Sequence, residues 1–301
     1  MKFLKPPKTY DEQLALLKER GLAITSDEET LGWLRRVNYY RLSAYFIPFQ
    51  EPRPSPIFLP GAKWDRVIDL YIFDCRLRHL FKIAMERIEV SFRTTITYEL
   101  AHEFGAFSYT YSKIYSKRFI EAMEPGNLSR FDEFMSNLTK EERRGAEVFV
   151  QAYRQKYDEE RYLPIWMATE LMSFGMLSMM FKGLNSTTRA RIATHYKISH
   201  DPLASWMHAL SSLRNFTAHN SRLWNRQFGV RPKLPYGFPY EIPSAEKLYC
   251  MAVIIQYCLR VIATGSQWKS HLFELFDAYP HIPLAEMGFP DNWRNLAPWN
   301  Q

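Results

Sequence analysis

The stretch that decides the fold is LYIFDCRLRHLFKIAMERIEVSFRTTITYELAH, residues 70–102. Together with the residues from Trp64 onward, it forms the longest segment that contains neither glycine nor proline. Its apolar residues recur at the three- and four-residue spacing of an α-helix. The segment therefore predicts a spine helix, straight or kinked, from Trp64 to about His102.

Helical spacing continues on both sides of this segment, and no stretch alternates as a β-strand does. Two proline-rich connectors, at 51–61 and 231–243, separate the helical regions. The pattern predicts an all-α fold of the helical-bundle class, with additional N- and C-terminal helices. Besides the spine, helices are expected at 11–20, 27–46, 128–137, 140–156, 164–181, 186–195, 201–226, 245–263 and 266–278.

The charge and the cysteine content of the chain favour some classes of binding partner and exclude others. The formal net charge is +7 and aromatic residues make up 16% of the chain. This charge favours a polyanionic partner, although it is also compatible with a mildly basic protein that binds none. The three cysteines give no disulfide framework and no CxxC pair for zinc, so we expect reduced, buried thiols.

The sequence also predicts a location. The first residues, MKFLKPPK, place two prolines where the apolar core of a secretory signal should run. The longest uncharged stretches, such as 248–259 and 171–181, are much shorter than the ~20 residues that span a bilayer. We therefore expect a cytoplasmic protein with no membrane partner.

Common catalytic motifs are missing. There is no glycine-rich phosphate loop, no GxSxG elbow, no HExxH and no EF-hand loop. No acidic cluster near residues 206–226 could hold two magnesium ions, and no His/Cys set has the spacing of metal ligands. The sequence accordingly predicts neither a cofactor nor a metal site, and a catalytic cysteine is disfavoured because buried thiols are usually inert.

The segment WMHALSSLRNFTAHNSRLWNR, residues 206–226, holds the most informative polar residues. Arg214 and His219 are separated by four residues. Composition alone predicts about two such pairs in this chain, and the other is Arg189–His195, which we interpret as surface. The residues around Arg214 and His219 favour this pair as the functional one.

At 100° per residue, one continuous helix would place four polar side chains in a stripe roughly 60° wide. Arg214 would flank this stripe. An amide, an imidazole and two guanidinium groups together favour anion binding, with one group that titrates near neutral pH. The alternative is a solvated or salt-bridged helix face. The four residues are Asn215, His219, Arg222 and Arg226.

Five stretches of the chain together match a known pattern: KPPKTYDEQLALLKERGL (5–22), LRRVNYYRLSAYFIPF (34–49), LYIFDCRLRHLFKIAMERIEVSFR (70–93), LPIWMATELMSFGMLS (163–178) and LRNFTAHNSRLWNR (213–226). They resemble the Abi-like family of bacterial abortive-infection proteins, of the AbiD/AbiF type, in the HEPN superfamily.

The resemblance implies a HEPN bundle whose Arg-x4–6-His motif cleaves RNA without metal, commonly in a site shared by two protomers. Arg214 and His219 match this motif, with Asn215 as the polar residue after the arginine. Some HEPN proteins carry a tyrosine two residues after the histidine, where this chain has Ser221. We expect one domain over 1–301, with an N-terminal helical region (1–60), a HEPN-like core (61–265) and a C-terminal helix and tail (266–301).

The residue types suit RNA cleavage. A histidine can take the 2′-OH proton or protonate the leaving 5′-oxygen, and an arginine fork can hold the phosphorane oxygens. Because one histidine cannot be base and acid at once, a homodimer that supplies a second His219 is expected. Arg222 and Arg226 are the candidate RNA-binding residues. An RNA or protein antitoxin is left open as a further partner.

Other polar residues are candidates for supporting roles. Glu86, Glu89 and Arg93 share one helix face and could form a buried ion-pair ladder that orients the active-site arginine. Glu170 is expected to be a buried acid beside Arg214 or His219. His208 is expected to be packed. The aromatic rings, Tyr39, Tyr40 and Trp224 among them, could stack on RNA bases or pack in the core.

The sequence thus predicts an endoribonuclease toxin that acts in phage defence. One alternative is a non-catalytic helical module that binds RNA or a partner protein through the same basic residues. The other is a structural, dimerising bundle in which the motif forms salt bridges.

Overall fold

The computed structural model describes residues 6–52, 54–122, 124, 126–145 and 147–301. The N-terminal residues 1–5, on which the expected lack of a signal peptide partly rests, lie outside these ranges. Over the described residues the backbone forms α-helices, short 3-10 turns and three isolated bridges, without a β-strand. The all-α prediction is therefore confirmed.

Thirteen α-helices are found in the described ranges. Their bounds are α1 Tyr10–Glu19, α2 Asp27–Arg36, α3 Tyr39–Phe46, α4 Trp64–Phe104, α5 Lys117–Ile120, α6 Arg130–Arg144, α7 Val148–Lys156, α8 Ile165–Leu171, α9 Phe174–Gly183, α10 Ser186–Thr194, α11 His200–Ala218, α12 Leu248–Ile262 and α13 Trp268–Ala278.

Helix α4 is the predicted spine, and it extends two residues beyond the expected end. Its buried positions include Phe73, Leu77, Phe81, Ile88 and Phe92, which follow helical spacing. Since neither glycine nor proline interrupts 41 residues, nothing in the local sequence ends the helix before Gly105, whose φ is +88°.

Two predicted helices are each split into two. The 27–46 segment breaks at Val37, and the Asn38 side chain then accepts a hydrogen bond from the N–H of Tyr40. The 164–181 segment breaks at Met172, and Ser173 accepts one from the N–H of Met176. Asn and Ser are strong helix N-caps, so each starts a new helix inside an otherwise helical pattern.

The chain divides into two compact units. The first comprises residues up to His79 together with Leu272–Pro283. In it, helix α1 packs against α2, and Thr9 and Glu12 close a capping box at the start of α1. Rings of the first unit pack edge to face, such as Tyr45 on Tyr71.

The second unit comprises Leu80–His271 and Leu284–Gln301. Helix α12 is buried along most of its length, and α11 packs against α9, α10 and α12. The C-terminal tail belongs to this core, because Trp299 is buried against Trp268 and Trp293. The division into one domain with three regions remains a prediction.

Candidate functional site

Helix α11 ends at Ala218, eight residues before the end that the sequence predicted. The N–H of Ser221 donates to the carbonyl of Phe216, and the N–H of Asn220 donates to that of Thr217. Asn220 has a φ of +53°, so the helix closes in a Schellman motif with asparagine in the left-handed position. The prediction of one continuous helix to Arg226 is wrong, and the signal that was missed is the His219-Asn220 pair.

His219 caps this helix and its side chain is exposed. Its backbone N–H donates to the carbonyl of Asn215, 3.0 Å away. The Asn215 side chain is exposed as well, and four residues of helix separate the two by only about 40° around the axis. These two members of the predicted stripe therefore do share one face.

Arg222 and Arg226 lie in the loop after the helix, so the predicted four-residue helical stripe does not form. The loop nevertheless brings Arg226 back to α11, since its guanidinium lies 4.3 Å from the centre of the Phe216 ring. Its Nε donates to the carbonyl of Arg222 at 2.6 Å. Both arginines are half-buried beside the last turn of α11.

Arg214 is anchored by the spine helix. Its Nε lies 3.5 Å from Oε2 of Glu89, and 41% of its side chain remains exposed. The other carboxylate oxygen of Glu89 accepts from Nη2 of Arg93 at 3.1 Å. Two guanidinium groups thus share one carboxylate, which leaves an excess positive charge at a partly exposed position.

Arg93 is itself held by helix α8. Its Nη1 donates to the backbone carbonyl of Thr169, and the Thr169 hydroxyl is 2.9 Å from that of Thr97. The side chains of Arg93 and Glu89 are each only 13% exposed. The structure therefore brings Glu89 next to the arginine of the motif, with Arg93 on the same carboxylate, while their role remains a prediction.

The structure contradicts several other expectations. Glu86 is exposed and forms no ion pair with the described residues, so it does not extend the ladder. Glu170 is exposed, not buried, because the inward-facing residue of this helix turn is Thr169. His208 is exposed on α11 instead of packed.

The aromatic candidates divide between the two roles. Trp224 is 1% exposed and belongs to the core. Tyr39 accepts a hydrogen bond from Arg20, whereas the Tyr40 side chain is exposed. Of these three, only Tyr40 could present a ring to a nucleotide base without rearrangement.

The second Arg/His pair has other partners. Arg189 bonds Asp201 at 2.8 Å, and 18% of its side chain is exposed. His195 bonds Glu99 at 2.7 Å. Because each of them binds a different carboxylate, this pair does not form a motif of its own.

Two of the three cysteines are buried, as the sequence predicted. Cys250 and Cys258 are buried, and burial raises the pKa of each thiol to about 12. Both therefore stay protonated at neutral pH, a state in which a thiol is a poor nucleophile. Cys75 is half-buried in the first unit.

A family model described as Abi-like protein matches residues 32–225, more than half of the chain. The chain belongs to the Abi-like family. The matched range contains Glu89, Arg93, Arg214, Asn215 and His219, and it ends one residue before Arg226. This membership connects the protein with abortive infection, while its place in the HEPN superfamily remains a prediction.

Comparisons of this Abi-like protein with curated proteins and with solved structures give no match. Within the described residues, none of the helices has both the length and the apolar character needed to cross a membrane. In the same ranges, no three His, Cys, Asp or Glu side chains are grouped so as to hold a metal ion.

Proposed function

We propose that this Abi-like protein is an endoribonuclease toxin of a bacterial abortive-infection system, and that it cleaves RNA without a bound metal ion. The observation that carries the proposal is the setting of Arg214. The Glu89 carboxylate lies 3.5 Å from its Nε while 41% of the Arg214 side chain stays exposed. The exposed His219 follows five residues later, about one and a half helical turns along the chain.

An arginine that contacts a carboxylate through its Nε alone is oriented, and its two Nη groups stay available for a ligand. Among the described residues, the two Nη groups of Arg214 make no hydrogen bond, so the planar fork can still bind two oxygens of one phosphate. Since guanidinium remains charged at all relevant pH values, Arg214 suits the stabilisation of the pentacovalent phosphorane and not proton transfer.

His219 supplies the proton chemistry in this proposal. It takes the proton from the ribose 2′-OH as that oxygen bonds to phosphorus, while the bond from phosphorus to the 5′-oxygen breaks. The upstream fragment then ends in a 2′,3′-cyclic phosphate, and the departing 5′-oxygen needs a proton. Asn215 lies on the same face and can bind the scissile nucleotide, with Arg222 and Arg226 on neighbouring phosphates.

The departing oxygen is the reason for proposing a homodimer. About 140° of helix rotation separates Arg214 from His219 within one chain, and one imidazole cannot act as base and acid in the same step. A two-fold pairing of α11 ends brings in a second His219. Light scattering that finds a fully active monomer contradicts this arrangement.

The test compares cleavage with folding. We expect Arg214→Ala and His219→Ala each to lower the RNA cleavage rate by at least about 100-fold, because each removes a group that acts in the transition state. Helicity and melting temperature should hardly change, since both side chains are exposed or half-exposed. Cleavage by the unaltered protein should persist in excess EDTA, and 2′-O-methyl RNA should resist.

Matched controls are His195→Ala, in the second Arg/His pair, and Arg35→Ala, an exposed arginine of α2. Both should leave cleavage unchanged. The Glu89 ion pair favours one rival, a non-catalytic module in which Arg214 serves structure. That rival predicts no cleavage by the unaltered protein and a loss of stability in Arg214→Ala.

A further inference from the structure

A basic groove lies on the second unit, apart from the Arg/His motif. It consists of two depressions of about 360 and 210 Å³ that share Lys182 and Arg189 as walls. Arg118 and Arg130 line the first depression, and Lys233 lines the second. We call these five residues, drawn from α5, α6, α9, α10 and the loop after α11, the basic groove.

The floor of this groove is fixed by backbone contacts. The N–H of Ser116 donates to the carbonyl of Gly183, and the backbone N–H of Lys233 donates to the Ser205 hydroxyl. A Cβ on Gly183 would lie 2.7 Å from the Phe119 ring, so only glycine permits this approach. These contacts connect the backbone segments that carry the cations, including the loop of Lys233.

The charges of the groove are unbalanced. Five cations face one carboxylate, Asp201, which already binds Arg189 and His200. The Nε of Arg189 is buried without a hydrogen-bond partner among the described residues. A row of cations with few acids beside it is typical of a surface that binds several phosphates.

Helix α11 connects the groove with His219. His208 lines the second depression, and at 100° per residue it lies on nearly the same exposed face as Asn215 and His219. Eleven residues of helix separate the two histidines by roughly 16 Å, about the length of five stacked nucleotides. Partial desolvation and the charge of Lys182 lower the pKa of His208, so its ring is neutral at pH 7.

We propose that the basic groove binds the phosphates of a single-stranded RNA and anchors the strand about five nucleotides from the bond beside His219. This inference rests on the proposed function for its direction toward His219, but the binding that it requires does not depend on catalysis. An acidic protein segment is the competing ligand, and the experiment below separates the two.

The test is fluorescence anisotropy with a single-stranded 2′-O-methyl RNA of twelve nucleotides, which binds but resists attack by its own 2′-oxygen. We expect Lys182→Ala/Lys233→Ala to bind about tenfold more weakly at low salt. The slope of log affinity against log salt should fall by about 1.4, or 0.7 for each lost single-strand phosphate contact. Lys182→Arg/Lys233→Arg should restore binding.

The matched control is Lys82→Ala/Lys140→Ala, which removes two exposed lysines of α4 and α6 outside the groove. Equal affinity and salt slope for the two double variants would overturn the proposal, as would competition by polyglutamate as strong as competition by RNA. If RNA binding depends on the groove lysines but the protein cuts no RNA, the groove proposal is supported and the nuclease proposal is rejected. If the protein cuts RNA but its binding does not depend on these lysines, the nuclease proposal is supported and the groove proposal is rejected.

Discussion

Helix α4 carries two carboxylates that each have an arginine four residues later, Asp74–Arg78 in the first unit and Glu89–Arg93 in the second. Asp74 is fully buried, and it accepts from Arg78 and, at 2.7 Å, from the Tyr45 hydroxyl. Glu89 stays at the edge of the core, where Arg214 becomes a second cationic partner. The same pair of residue types therefore forms a buried cluster around Asp74, whereas the Glu89 carboxylate also contacts the half-exposed Arg214.

The difference shows how burial decides what an ion pair can do. Burial and the adjacent Asp74 carboxylate raise the pKa of Tyr45 above its ordinary range, so its hydroxyl remains a donor to that carboxylate. Asp74 and Arg78 are buried together with Tyr45, so a ligand cannot reach this ion pair, and removing one of its partners should destabilise the fold. In the Glu89 cluster, solvent still reaches Arg214, so a phosphate can reach it too.

The largest effect is expected from breaking the buried cluster. Asp74→Ala leaves Arg78 in the core without its carboxylate, which should lower the free energy of unfolding by about 3–5 kcal/mol. Urea denaturation followed by circular dichroism measures this loss. Asp74→Asn, which keeps the shape and one acceptor, should lose less, and a loss below 1 kcal/mol for the alanine variant would show that the cluster is not structural.

A mixed effect is expected from Glu89→Ala. Arg93 keeps its bond to Thr169, so the free energy of unfolding should fall by only about 1–2 kcal/mol, whereas RNA cleavage should fall roughly tenfold because Arg214 loses its orientation. Glu89→Gln should recover part of the rate. The control one turn away is Glu86→Ala, which should change neither quantity; equal defects in both variants would contradict the placement of Glu89.

The smallest effect is expected at Glu99, a third carboxylate of α4. Burial raises its pKa, but the bonds from His195 and Arg191 outweigh this and leave the pKa below its ordinary 4.5. A carboxyl group whose pKa is lower in the folded than in the unfolded state stabilises the folded state at pH values above the unfolded pKa. This stabilisation is lost as the pH falls through the folded pKa. Glu99→Gln should thus cost less than about 1 kcal/mol at pH 7, and this cost should shrink as the pH falls through the lowered pKa of Glu99. Thermal melts at pH 7 and over a series of acidic pH values measure the change, and a cost that does not vary with pH would contradict the prediction.

Local signals predicted most of the helices. Helical spacing without glycine or proline marked α4, and Ser26 marked the start of α2, where it accepts from the N–H of Glu29. The expected break at 138–139 is wrong, since these residues lie inside α6. Three further failures occurred where a capping residue lies within a helical pattern, at Asn38, Ser173 and Asn220. Periodicity alone does not register these residues, because one cap changes the backbone without changing the spacing around it.

By itself the sequence determined the relations within a helix, such as Glu89 with Arg93 and Asn215 with His219, because fixed helical geometry turns sequence spacing into position. Only the tertiary structure decided which carboxylate meets Arg214, which acids are exposed, and that five cations from separate elements line one groove. Those contacts join residues far apart in the chain. They follow from how the apolar faces of the helices pack, which no local spacing specifies.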